Sequence, residues 1–200
     1  MTGVSRHQRR RELILAIEQC RKCDKMNEPG KTEAAPGFGS IYSPVVIVGQ
    51  SLCEKCMETK VPFTGGSGRY IDDALDMAHR KKAEIFITNV VHCHPEGDRA
   101  SYKHEIDNCR GYLHQELEIV QPRLAIGLGD DAKAELRRYY YENSTELAWP
   151  FVEPLKQKNT VYPYLLFPEH PGSLRFKKTL ERAYYSPSLA DAIKWAFKEA

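Results

Sequence analysis

Short apolar runs recur along this chain at intervals that leave room for a helix between them, and this alternation restricts the fold more than any other feature. Pro44-Val45-Val46-Ile47-Val48-Gly49 reads as a buried strand stopped by glycine. Glu84-Ile85-Phe86-Ile87-Thr88-Asn89 and Arg123-Leu124-Ala125-Ile126-Gly127-Leu128-Gly129 are two more, and Tyr162 to Phe167 is a fourth that ends at Pro168-Glu169-His170-Pro171-Gly172-Ser173. Helical spacing appears at roughly 69–80, 103–120 and 130–141, with a closing helix over about 187–199. Strands with no polar alternation are buried on both faces. The pattern therefore predicts an α/β fold of three layers, α/β/α, around a central four-stranded parallel sheet. No repeat, low-complexity tract or linker divides residues 1–200, so a single domain is expected.

No apolar run is long enough to span a bilayer, and the basic opening from Met1 to Arg11 is not followed by a signal-type apolar stretch. The expectation is a cytoplasmic (intracellular) protein with no membrane partner. The net charge of +2 does not by itself point to an anionic partner, but basic residues gather at Arg9 to Arg11, Arg80 to Lys82 and Arg175 to Lys178. Runs this short are usually solvated faces, so they admit nucleic acid as a partner without establishing it.

Six cysteines in a chain expected to sit in a reducing compartment read first as metal ligands or reactive thiols rather than as disulfides. Leu13, Ile14 and Ile17 have the spacing of an amphipathic helix, which delivers Cys20-Arg21-Lys22-Cys23 at its end. Two ligand sets complete that C-x2-C pair. Adding Cys53 and Cys56, a second C-x2-C, makes a zinc-ribbon pattern; adding Cys93 and Cys109 makes four separated ligands suited to a cubane cluster. Spacing alone leaves both open. His92 and His94, which flank Cys93, read as exposed loop histidines.

In open parallel sheets the ligand crevice lies beyond the carboxyl ends of the strands. Gly49-Gln50-Ser51, Thr88-Asn89 and Glu169-His170-Pro171 all fall there, so three polar segments far apart in sequence are expected at one rim. Thr64-Gly65-Gly66-Ser67-Gly68-Arg69 lacks the Lys-Ser/Thr ending of a P-loop and reads as a flexible rim that opens a helix, which argues against nucleotide hydrolysis.

In order along the chain, Cys20-x2-Cys23, Val48-Gly49-Gln50, Pro62-Phe63-Thr64-Gly65, Thr88-Asn89-Val90-Val91-His92-Cys93, Cys109 and His170-Pro171-Gly172-Ser173-Leu174 resemble the motifs of the iron–sulfur (family-four) uracil-DNA glycosylases. The resemblance implies a 4Fe-4S cluster on Cys20, Cys23, Cys93 and Cys109, and a monofunctional hydrolase of the N-glycosyl bond of uracil or another deaminated base. Such an enzyme flips the base out of the stack and stabilises an oxocarbenium-like sugar. The resemblance casts Phe63 as the stacking face, Asn89 as the reader of the base edge beside Gly49, and His170 as the donor to the leaving base. Gly172, Ser173, Leu174 and Arg175 then face DNA, with Leu174 as the wedge that fills the vacated space.

Two departures stand out. Where the family has Gly-Glu-x-Pro-Gly, this chain has Gly49-Gln50-Ser51-Leu52-Cys53, and an amide cannot take a proton from water. Where the family has Pro-Gly-Asn-Arg, this chain has Glu96-Gly97-Asp98-Arg99. The expected catalytic set is therefore Asp98 on the attacking water, Gln50 orienting water or contacting the base, and His170. The expected partner is DNA carrying a deaminated base, met by a monomer. The alternative function is a catalytically silent iron–sulfur protein that binds damaged or single-stranded DNA.

Overall fold

The structure, a computed structural model, describes residues 4–155 and 163–198. Strands β1 (Val45–Ser51), β2 (Phe86–Val91), β3 (Leu124–Gly127), β4 (Thr145–Glu146) and β5 (Tyr164–Leu166) form one sheet in the order β2-β1-β3-β5-β4. Every pairing is parallel. The four apolar runs are all in the sheet. A fifth strand extends the expected four: two residues, Thr145 and Glu146, pair with Tyr164 and Leu165 at the edge. This strand is too short and too polar to carry a hydrophobic signature. Tyr162, the start of the fourth run, lies outside the described residues.

The helices are α1 (Arg6–Glu18), α2 (Glu54–Thr59), α3 (Arg69–Met77), α4 (Lys103–Val120), α5 (Asp130–Tyr140) and α6 (Thr179–Lys198). Alternate strand residues supply the two apolar layers. Val46, Val48, Phe86, Val90 and Ala125 point to one side, where they meet Leu13 and Ile17 of α1 and Leu113 and Leu117 of α4. Val45, Ile47, Ile87, Leu124 and Ile126 point to the other, against Ile71 and Leu75 of α3 and Leu189 and Ile193 of α6. This is the three-layer α/β/α arrangement.

α6 begins at Thr179 rather than near 187, because Pro187 lies inside the helix instead of opening it. Tyr185 and Ser186, immediately before it, are buried, and the Ser186 hydroxyl donates to the Tyr70 carbonyl at 2.9 Å. Packing against α3 thus carries the helix past a residue that usually starts one. Among the described residues no helix is long and apolar enough to cross a membrane.

Candidate active site

β1 and β2 run side by side with Gly49 opposite Asn89. A side chain at position 49 is excluded by what surrounds it: a Cβ there would lie 2.5 Å from the Asn89 amide oxygen and 2.8 Å from the Phe63 ring. The missing Cβ is what lets Asn89, 5% exposed, and the half-buried Phe63 ring close on the same spot. Phe63 sits at φ 54°, a strained value for a bulky residue. Its carbonyl is held by the Lys82 ammonium at 3.2 Å and crowded by Gly68, whose Cβ would fall 2.0 Å from the Phe63 oxygen.

β5 delivers His170 to the same edge. Gly129, at φ 90° after β3, allows the close approach, since a Cβ there would lie 3.2 Å from the His170 Cβ. The Gly172 N–H donates to His170 Nδ1 at 3.1 Å, so Nδ1 is the bare nitrogen and Nε2 carries the proton of the neutral ring. Burial lowers the His170 pKa below the ordinary imidazole value. Ser173 braces this turn, its hydroxyl donating to the His170 carbonyl at 2.8 Å. Leu174, expected as a wedge, is instead 2% exposed in the apolar layer beneath the turn, because the 3-10 geometry of Pro171–Phe176 rotates it inward. Arg175 and Phe176 are the exposed side chains there.

Gln50, Ser51, Ser67, Asp98 and His170 line one cleft of about 490 Å³. Asp98, at φ 53°, hangs over it with its side chain 62% exposed, and the nearest His94 nitrogen is 3.7 Å away. Gln50 turns its amide to Asp131, with Nε2 donating to Oδ2 at 2.9 Å. Asp131 was missed in the sequence, although Gly129-Asp130-Asp131 follows β3 at the edge where functional groups gather.

The four cysteines Cys20, Cys23, Cys93 and Cys109 line one small cavity with Lys22 and Asn108. The Asn108 amide donates to Cys23 Sγ at 3.3 Å. Burial, followed by the neighbouring Cys109, Cys20 and Cys23, pushes the Cys93 thiol up to about 12. Thiolates this close repel unless a cationic centre binds them. Among the described residues no three His, Cys, Asp or Glu could hold a metal ion together. A cubane binds each thiolate on a separate iron, so it draws on sulfurs spread more widely than those of one tetrahedral zinc.

Cys53 and Cys56 take no part: they are joined in a disulfide, which overturns both the reduced-thiol expectation and the zinc-ribbon alternative. Cys53 caps α2, placing the two Cα atoms 4.9 Å apart, within bridging range. His92 and His94 are not exposed either, at 1% and 4%. Their continuation of β2 carries them inside, where His94 Nδ1 meets the Leu52 carbonyl at 3.0 Å. His92 Nε2 lies 3.1 Å from the Glu116 carboxylate, which also accepts from Thr88 and from the Gly37 N–H at 2.7 Å. Burial disfavours the imidazolium, but Glu116 and Cys109 outweigh it and raise His92 to about 10. Glu116 was also missed; its signal was a carboxylate inside the apolar stripe of α4.

A family model described as the uracil DNA glycosylase superfamily matches residues 36–192. The chain belongs to that superfamily. Relatives within it include the type-4 uracil-DNA glycosylase of Pyrobaculum aerophilum, 34% identical over 56% of this chain and 57% of the relative. That of Archaeoglobus fulgidus is 30% identical over 59% and 58%. The match to the Sulfurisphaera tokodaii protein is longer, 26% identical over 92% of this chain and 79% of the relative. The chain thus spans less than two thirds of the first two relatives. Within the superfamily frame, the rim formed by Gly49, Phe63, Asn89 and His170 is the candidate active site, and Gln50 with Asp98 marks its departures.

Proposed function

We propose that this protein removes uracil from DNA by hydrolysing the N-glycosyl bond, as a monomeric, monofunctional glycosylase of base excision repair, and that it carries a 4Fe-4S cluster on Cys20, Cys23, Cys93 and Cys109. The observation that carries the reading is the bare Cα of Gly49, against which Asn89 and Phe63 converge. A flipped pyrimidine can stack on the Phe63 face while the Asn89 amide, with one donor and one acceptor, meets O4 and N3–H of uracil. The same amide opposes the amino group of cytosine.

As the C1′–N1 bond breaks, its electron pair leaves on the base and negative charge builds on O2, to which the His170 Nε2–H donates in this reading. The water oxygen bonds to C1′ and its proton passes to Asp98. Gly172, Ser173 and Arg175 face the DNA backbone. The cluster supplies a structural tie between the end of α1, the loop after β2 and α4, which hydrolysis does not require to change oxidation state. The relatives named type-4 uracil-DNA glycosylase support this assignment.

The test is to incubate anaerobically purified protein with end-labelled oligonucleotides carrying uracil, hypoxanthine or xanthine, then treat with alkali. Strand cleavage at uracil only after alkali is the expected result. Cleavage before alkali would indicate a lysine-dependent lyase, and tight DNA binding without any cleavage would favour the silent binding protein.

A further inference from the structure

We propose that Asp131 is a positioning residue of this site, anchoring the Gln50 amide so that its carbonyl oxygen is presented to the cleft as the acceptor that orients water. The inference rests on the glycosylase reading and extends it to a residue outside the family motifs set out above.

A carboxylate has only acceptors to offer, so a side-chain amide that bonds to it must do so through nitrogen. The Nε2 to Oδ2 bond of 2.9 Å therefore decides which way the amide faces. Gln50 lines the cleft and its Nε2 is committed to Asp131; Oε1 is accordingly assigned to the cleft as the acceptor. An unanchored glutamine would sample both flips, one of which presents a donor to the water instead of an acceptor.

The place of the pair strengthens the case. β1 and β3 are neighbours, but the chain leaves β1 toward β2 on one side and β3 toward β5 on the other. Their carboxyl ends form the point where the strand order switches direction, and ligand crevices of parallel sheets open there. Gln50 is at the end of β1; Asp131 is in the first turn of α5, directly after β3. The Leu128 N–H donates to the Val48 carbonyl at 2.9 Å, tying the turn before Asp131 to the strand that carries Gln50. Asp131 is half-buried, so the bond is shielded from bulk water on one side. The pair keeps a carboxylate at the site one side chain behind position 50.

The experiment is a double-mutant cycle on the full chain, read by single-turnover uracil release and by affinity for uncleaved DNA. Asp131→Ala should slow release about tenfold to a hundredfold, the cost of a misplaced group, with DNA affinity changed by less than about threefold. Asp131→Asn, whose side-chain oxygen still accepts from Nε2, should recover most of the rate. In a Gln50→Ala background, Asp131→Ala should have no further effect, because the residue acts only through Gln50. An equal loss in both backgrounds, or no loss in the wild type, overturns the proposal.

The anchoring is also read without turnover. The Gln50 side-chain NH2 resonances of 15N-labelled protein should shift and exchange faster with solvent in Asp131→Ala. Unchanged resonances would refute the anchor itself. A wild-type protein that releases no uracil, together with the expected shift in Asp131→Ala, would instead remove the glycosylase reading, and with it the water-orienting role.

Discussion

At Gly49 one absent methyl group decides whether the site exists. Gly49→Ala should place its Cβ against the Asn89 oxygen and the Phe63 ring, at 2.5 and 2.8 Å. Relief requires one of the two to retreat, at an overpacking cost of about 1–3 kcal/mol. We expect uracil release to drop at least about a hundredfold, since a shift of about an ångström at the reacting centre costs that much, while the circular dichroism spectrum stays native. Near-normal release would show that the base does not sit on this spot. Asp98→Asn should abolish turnover and spare DNA binding, measured by gel shift, because the change removes the proposed proton acceptor and keeps the shape. His170 adds a pH prediction. Burial lowers its pKa, so the neutral ring, with Nδ1 accepting from Gly172 and Nε2 protonated, persists below the ordinary imidazole range near 6.5. The single-turnover rate should hold level as pH falls through 6.5 and decline only at lower pH, when protonation of Nδ1 breaks the Gly172 bond. A rate that halves at or above 6.5 would contradict this assignment.

At the scale of elements, α4 and β2 are coupled by a carboxylate with three partners. Glu116 accepts from Thr88 and faces His92 on β2 and its extension, and it also accepts from Gly37 in the connection before β1. Burial alone would raise its pKa, but His92, Thr88 and Gly37 hold it below the ordinary carboxylate range. Glu116→Ala leaves those donors buried without an acceptor, so we expect a loss of about 3–5 kcal/mol in urea unfolding, the range for breaking a buried pair. Glu116→Gln, which keeps an acceptor, should lose less. Equal stability of all three proteins would mean that the interaction contributes nothing net. His92 reaches in the other direction toward Cys109, where burial disfavours the thiolate and the imidazole beside it holds the thiol below its ordinary value. The same α4 therefore carries one thiol of the cysteine cavity and the buried acid behind it.

Over the whole molecule, Cys20 and Cys23 follow α1, Cys93 follows β2, and Cys109 is in α4. The proposed cluster, held by all four thiolates, would tie the end of the N-terminal helix to the main body. Removing iron by oxidation and chelation should lower the thermal midpoint by several degrees and open the 19–34 connection to limited proteolysis, with the visible absorbance lost in parallel. Protein that loses its colour with an unchanged midpoint and digestion pattern would show that the cluster does not hold the fold.

The strand and helix periods, the strand-end glycines and the order of the motif residues are local properties, and the sequence alone determined the α/β/α layers and the carboxyl-end rim; cysteine spacing left two ligand sets open, and the fold gathered Cys20, Cys23, Cys93 and Cys109 around one cavity. Tertiary structure decided what depends on residues far apart in sequence. The Gln50–Asp131 bond spans 81 positions and the His92–Glu116 contact 24, and no spacing rule relates such positions. The burial of Leu174 and of both histidines, and the passage of α6 through Pro187, were likewise decided by neighbours packed from other elements. The disulfide at Cys53 and Cys56 was invisible for a different reason. The spacing permits either a metal or a bridge, and only the capped turn that brings two Cα atoms within 4.9 Å selects between them.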